Sequence, residues 1–155
     1  MRSRAAAPRN ASRVLDEVER ASRVFFAVTV QAMDRLDSAI SPAGLRALLV
    51  LADDPDITLS ELAHRVPLSQ SAASRMVDRL VNAKMLDRAV PAGDRRRIRL
   101  ALTTSGKALV RELVHHRLEA IGDIARTMSP ADLDALRRGL QAFDASAHQR
   151  ATTPA

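Results

Sequence analysis

Early in the chain the apolar residues fall at helical spacing. Val14, Val18, Ala21, Phe25, Val28, Ala32 and Leu36 follow one another in steps of three and four, which puts them on one stripe and predicts a long amphipathic helix over about residues 14–36. Ser41 followed by Pro42 supplies an N-cap and a first-turn proline. The run LRALLVLA from Leu45 to Ala52 is apolar nearly all round, the pattern of a central, buried helix. The acidic DDPD at 53–56 ends it.

A different arrangement follows. Thr58-Leu-Ser-Glu61 is a capping box, in which hydroxyl and carboxylate each satisfy an orphan backbone donor, and it opens a short helix that Pro67 stops. Ser69 caps the next helix, SQSAASRMVDRLVNAKM, with Ala73, Met76, Val77, Leu80 and Val81 on one face and Gln70, Ser71, Ser74, Arg75, Asp78 and Asn82 on the other. A short helix, a turn and a second helix polar at its exposed start make a helix-turn-helix pattern. LDRAV (86–90) and RIRLAL (97–102) then read as two strands, the second alternating Ile98, Leu100 and Leu102 against Arg97 and Arg99. Between them lies a hairpin tip with Ala-Gly-Asp at its turn. Thr103 or Thr104 starts another long helix carrying Leu109, Leu113, Leu118, Ile121 and Ile124 to about Met128. Ser129-Pro130 starts the last, with Leu133, Leu136, Leu140 and Phe143 facing inward and Asp132 placed for a second reciprocal cap. The small, polar stretch from Ala147 to Ala155 is expected to fray.

Composition sharpens this. Aromatics make up only 2% of the 155 residues against 46% apolar overall, so Leu, Val, Ala and Met must build the core, which favours helix. With no cysteine there is no disulfide, thiolate metal site or thiol redox sensor. The basic start MRSRAAAPRNASR has no apolar core of signal-peptide length and no stretch is apolar enough to span a membrane, so a soluble cytoplasmic protein is the expectation. The net charge is +6, and residues 58–102 hold nine basic against four acidic side chains, so most of the excess sits on the helix-turn-helix and hairpin. A concentrated basic face is the footprint of a polyanion partner; a merely solvated surface is the alternative.

The order of elements, with SPAGLRALLVLA, TLSELAHRVPLSQSAASRMVDRLVNAKML and a DRR followed by LTTSGKAL, resembles the MarR (multiple antibiotic resistance regulator) family over about Val14 to Phe143. The resemblance implies a mainly α fold: a winged helix-turn-helix with a small two-stranded β wing, between long N- and C-terminal dimerisation helices. It divides the chain into a basic flexible arm (1–13), an N-terminal dimerisation helix (14–40), the DNA-binding region (41–102), C-terminal dimerisation helices (103–146) and a flexible tail (147–155). It implies a homodimer on double-stranded DNA carrying a pseudopalindromic operator. The family's wing signature, Asp-x-Arg, falls on Asp94 and Arg96, so Arg96 is implied as the minor-groove arginine and Asp94 as the residue that orients it.

The residues support that picture on physical grounds. A narrow minor groove concentrates negative potential, and a guanidinium, always charged and weakly hydrated, enters it at lower cost than an ammonium. Arg95 and Arg97 then reach flanking phosphates or solvent. Otherwise the tip is a solvated turn whose arginines only discourage edge pairing. On the groove helix Gln70, Ser71, Ser74 and Arg75 are the base-edge candidates, since Arg pairs bidentately with guanine and Gln with adenine. Ser69, Arg79, Arg88 and Arg97 are the phosphate candidates. Arg79 has an alternative intramolecular pair with Asp78 or Glu61, Arg88 has one with Asp94 across the hairpin, and Ser69 and Ser71 can be spent on the helix start.

Family members commonly bind small aromatic or phenolic anions between the dimer helices and the winged domain, so the resemblance also implies a possible small-molecule effector. Phe25, Phe26, Met33 and His115 are the candidate lining; Phe25, on the apolar stripe, suits the core better than a pocket, and His115 and His116 leave their helix about 100° apart. No metal or cofactor is expected, because the four histidines show no i, i+4 pair. A catalytic role finds no phosphate loop, GxSxG or HExxH pattern. Three readings remain: a dimeric sequence-specific regulator, most simply a repressor relieved by a ligand; a nonspecific architectural nucleic-acid binder; and a winged-helix module that binds protein. The wing reading expects Arg96→Ala to weaken DNA binding substantially and Arg96→Lys not to restore it; a fluorescence anisotropy titration in which lysine matches wild type removes the minor-groove role.

Overall fold

The computed structural model describes residues 9–36, 38–55, 57–89 and 99–152. Among them are six helices and two strands: α1 Arg9–Asp34, α2 Pro42–Asp53, α3 Leu59–Arg65, α4 Gln70–Asn82, β1 Leu86–Ala89, β2 Arg99–Leu102, α5 Thr104–Ala125 and α6 Pro130–Thr152. This is a mainly helical winged helix-turn-helix, as the pattern predicts. Two boundaries differ. Helix α1 begins at Arg9, inside the stretch read as an arm, and α6 runs to Thr152, through most of the stretch read as a tail. Small and charged residues there are adequate helix formers once a long helix is nucleated, because each added residue then gains a hydrogen bond. The chain divides into two compact units, Met1–Arg117 and Leu118–Ala155.

In the first unit α2 sits at the centre, as its all-round apolar sequence requires. It touches α3, α4 and β2, and its Leu48 and Leu51 are fully buried with Leu62 of α3, Val77 of α4, Leu86 of β1, Leu100 of β2 and Leu113 of α5. Burying one such side chain is worth about 1.5–3 kcal/mol, so these residues dominate the cohesion of the unit. Ser41 caps α2 by accepting from the Gly44 N–H at 3.2 Å. The α1 stripe is only half used: Val28, Ala32 and Leu36 are buried, whereas Val14, Val18 and Phe25 on the same face are exposed.

The passage from α4 into the wing has its own logic. Helix α4 ends in a Schellman arrangement, with Met85 N donating to Leu80 O and Lys84 N to Val81 O, both at 2.9 Å. The turn needs left-handed backbone, and here a lysine takes it, Lys84 at φ 58°. Thr103 locks the turn to the start of α5. Its N–H donates to Met85 O at 3.1 Å, its hydroxyl donates to Lys84 O at 2.6 Å, and the same hydroxyl accepts from Gly106 N at 3.0 Å. Strands β1 and β2 then pair antiparallel, Leu86 opposite Leu102 and Arg88 opposite Leu100.

The second unit behaves differently. Ser129 Oγ accepts from Asp132 N at 3.2 Å and donates to the Asp132 carboxylate at 2.6 Å, so the expected cap at the start of α6 forms largely through the hydroxyl. Leu133, Leu136, Leu140 and Phe143 share one face, but the sequence pattern's expectation that they point inward is not met within one chain: all four are exposed. Two helical segments joined by a short turn enclose no interior.

Gly106 shows why the TSG of TTSGKAL has a glycine. A Cβ there would stand 2.2 Å from the Met85 carbonyl oxygen, a backbone atom that cannot rotate aside. Gly106→Ala is therefore expected to destabilise the first unit by about 3 kcal/mol, at the upper end of overpacking costs, as read by urea denaturation; wild-type stability in that variant would contradict this close seating.

Candidate nucleic-acid interface

The short α3 is held in place at its first turn. Glu61 N donates to Thr58 Oγ1 at 3.2 Å, and Thr58 N donates to the Glu61 carboxylate at 2.6 Å, the reciprocal capping box. That backbone hydrogen bond, then one from the Thr58 hydroxyl, and then the charges of Arg99 and Arg65 hold the Glu61 carboxyl below its usual range. The same threonine forms an isolated bridge with Arg99, and Leu100 N donates to Ile57 O at 2.9 Å. The loop entering the helix-turn-helix is thereby stitched to the second wing strand.

Helix α4 buries Ala73, Met76, Val77 and Leu80 and leaves the opposite side exposed. At 100° per residue, Ser71, Arg75, Asp78 and Asn82 form the line directly opposite the core; Gln70 and Arg79 flank it, exposed, and Ser74 is half-buried. Ser69 caps the helix, accepting from Ala72 N at 3.3 Å, and its Oγ lies 3.2 Å from that of Ser71. Ser69 thus serves the helix start, the alternative its sequence left open, while Ser71 touches only the capping hydroxyl. Gln70 Nε2 donates to Ser60 Oγ at 3.0 Å, across the turn between the two helices. Arg79 Nε donates to the Arg75 carbonyl at 3.3 Å, in place of the pairing with Asp78 or Glu61 weighed from sequence. Arg75 has no hydrogen bond or ion pair for its side chain among the described residues and projects from the helix.

The wing is described at its base. Arg88 pairs with Asp78 of α4, Nη2 to Oδ1 at 2.5 Å; the cross-hairpin pair with Asp94 weighed from sequence falls on a residue outside the described ones. Asp94, Arg95, Arg96 and Arg97 lie outside the described residues. Arg99 at the base is exposed and Leu100 beside it is buried, as the expected alternation has it, whereas Ala101 and Leu102 are both half-buried.

The effector candidates differ in exposure. Phe25 is 39% and Phe26 71% exposed on α1, Met33 packs partly buried against the core, and His115 is exposed on α5. The rings of His115 and His116 lie 5.8 Å apart at 45°; rotation about the side-chain bonds brings together rings whose Cβ atoms diverge. Among the described residues no group of three His, Cys, Asp or Glu could hold a metal ion, and no helix is long and apolar enough to cross a membrane.

Comparison with known proteins agrees with this geometry. A family model described as MarR family matches residues 40–97. A curated relative, the uncharacterized HTH-type transcriptional regulator YsmB of Bacillus subtilis (strain 168), is 24% identical over 102 residues, 66% of this chain and 70% of its own. The crystal structure of RV1404 from Mycobacterium tuberculosis is 33% identical, with 92% of this chain and 97% of that chain covered and a TM-score of 0.80. The chain belongs to the MarR family. It is a DNA-binding transcriptional regulator of the winged helix-turn-helix type. At 21% identity MepR of S. aureus shares the fold. A MepR mutant bound to an oligodeoxyribonucleotide has a TM-score of 0.63 (86% of this chain, 96% of that one), and MepR bound to ethidium bromide has 0.62 (83% and 92%).

Within this MarR fold, sequence reasoning missed two partners of the candidate residues, Ser60 for Gln70 and Asp78 for Arg88. The first carried no signal, since a serine in an exposed helix position is unremarkable. The second did carry one: Asp78 is the only acid on the polar side of α4, and a carboxylate on a helix meant for a polyanion calls for a cation. Because Arg75 projects from the helix while Arg79 folds back on it, Arg75→Ala is expected to relax base preference more than Arg79→Ala. Selection on randomised duplexes reads the difference, and identical sequence logos from the two variants would contradict it.

Proposed function

We propose that the protein is a homodimeric, sequence-specific repressor whose DNA binding is relieved by a small aromatic or phenolic ligand. The reading is carried by the exposed line of α4, where Ser71 and Arg75 stand opposite a fully buried face. A helix anchored in this way can enter a major groove without rearrangement. Gln70, Ser71, Ser74 and Arg75 then contact base edges, Ser69, Arg79 and Arg97 contact phosphates, and the wing carries Asp94, Arg95 and Arg96 to the minor groove. The oligonucleotide-bound state of MepR supports such a docking.

The dimer reading rests on apolar surface. Val14, Val18 and Phe25 in the first unit, and Leu133, Leu136, Leu140 and Phe143 in the second, are exposed stripes on long helices. Contiguous exposed apolar surface marks an interaction site, and a second copy of the chain is the occupant that a pseudopalindromic operator requires. The effector reading rests on the exposed Phe25 and Phe26 with Met33 and His115, and on the binding of an aromatic compound, ethidium, by MepR. A ligand acts as inducer when it prefers a spacing of the two heads that the operator does not.

Sequence-specific regulation requires preference for one pseudopalindrome over random duplex by roughly a thousandfold or more, with half-sites about one helical turn apart. Recovery of genomic fragments with the purified protein, followed by anisotropy titration, tests it; equal affinity for all fragments would leave the architectural reading, and affinity indifferent to salt the protein-binding one. For the dimer, Leu136→Lys with Leu140→Lys is expected to yield monomers by light scattering, and an intact dimer would refute the role of α6.

A further inference from the structure

Arg88 was a phosphate candidate by charge, yet its surroundings assign it elsewhere. Residues directly opposite in an antiparallel ladder project to the same side, so the pairs Leu86–Leu102 and Arg88–Leu100 place Arg88 on the face that buries Leu86 and Leu100. That face looks toward α4, which β1 touches. Arg88 is the last position on this face of β1 within the described strand. There its guanidinium meets Asp78, which stands on the outward line of α4 with Ser71, Arg75 and Asn82.

We propose that Arg88 and Asp78 form a positioning brace that sets the wing against the recognition helix and neutralises the one carboxylate on the helix's outward line, so that both elements reach the same duplex. This rests on α4 being the groove-reading helix. The two side chains remain 40% and 50% exposed, and half-exposed ion pairs add little to folding stability. The pair's effect therefore lies in where the wing points. Arg88 acts on DNA through Asp78 and spends its charge inside the protein.

The two roles open to Arg88 predict opposite signs. If Asp78 were only a negative charge near DNA, Asp78→Asn would tighten binding. The brace predicts that Asp78→Asn and Arg88→Gln each weaken binding to the preferred duplex by about fivefold or more, as loss of a significant interface residue does. Were Arg88 bound to a phosphate, Arg88→Gln would lower the dependence of log K on log salt by about 0.9; the brace leaves that slope unchanged. The reversed pair, Asp78→Arg with Arg88→Asp, restores affinity because it restores the link at constant net charge. Thermal melting of each variant accompanies the titrations, and a wild-type Tm with weakened binding supports positioning. Wild-type or tighter binding by Asp78→Asn, a slope reduced in Arg88→Gln, or no recovery in the reversed pair overturns the brace. If instead the wild-type protein shows no preferred duplex, the reading of α4 itself fails, a result distinct from any of these.

Discussion

Ala73, Met76, Val77 and Leu80 hold α4 against α2, α3 and β1, and every functional feature of the molecule depends on how completely they are dehydrated. A helix of this length has no independent stability in water. Its outward line can be offered to a ligand only because its inward face is fully engaged. The geometry that makes Arg75 available is thus the same geometry that buries Val77. The first is a consequence of the second through the period of the helix.

The wing depends on the same core through fewer contacts. Leu86 and Leu100 anchor its base, Thr103 joins the turn before β1 to the first turn of α5, and the Ile57–Leu100 hydrogen bond ties it to the entrance of α3. These links converge on the proximal ends of the two strands. Beside them stands a polar contact, the Arg88–Asp78 pair, to which the proposed brace gives the aiming of the wing. On the proposed reading, apolar anchoring and polar aiming divide the work of a two-element DNA reader, since rigidity at the base sets the separation of the two parts offered to the duplex.

The exposed stripes of α1 and α6 belong to a different level of organisation. Helical periodicity marked them as core positions, and the stripe of α1 does become core from Val28 onward. Before that point, and along α6, the apolar side chains stay exposed among the described residues. Periodicity reports that a face is to be buried but carries no information on which chain buries it, because the transfer free energy of a leucine is the same in either case.

Order and type of the elements, the cap at Ser41, the capping box at Thr58 and Glu61, and the polar side of α4 were all determined by sequence alone, because each rests on residues within about one helical turn of one another. Contacts between residues distant along the chain were decided by the tertiary structure. Lys84 in a left-handed turn where glycine is usual, Gly106 against the Met85 carbonyl, Ser60 beneath Gln70 and Asp78 beside Arg88 all depend on backbone segments brought together by packing. Local hydrogen bonding and hydrophobic period are written in short windows of sequence. The partner of an exposed arginine is chosen by distances that exist only once the core has closed.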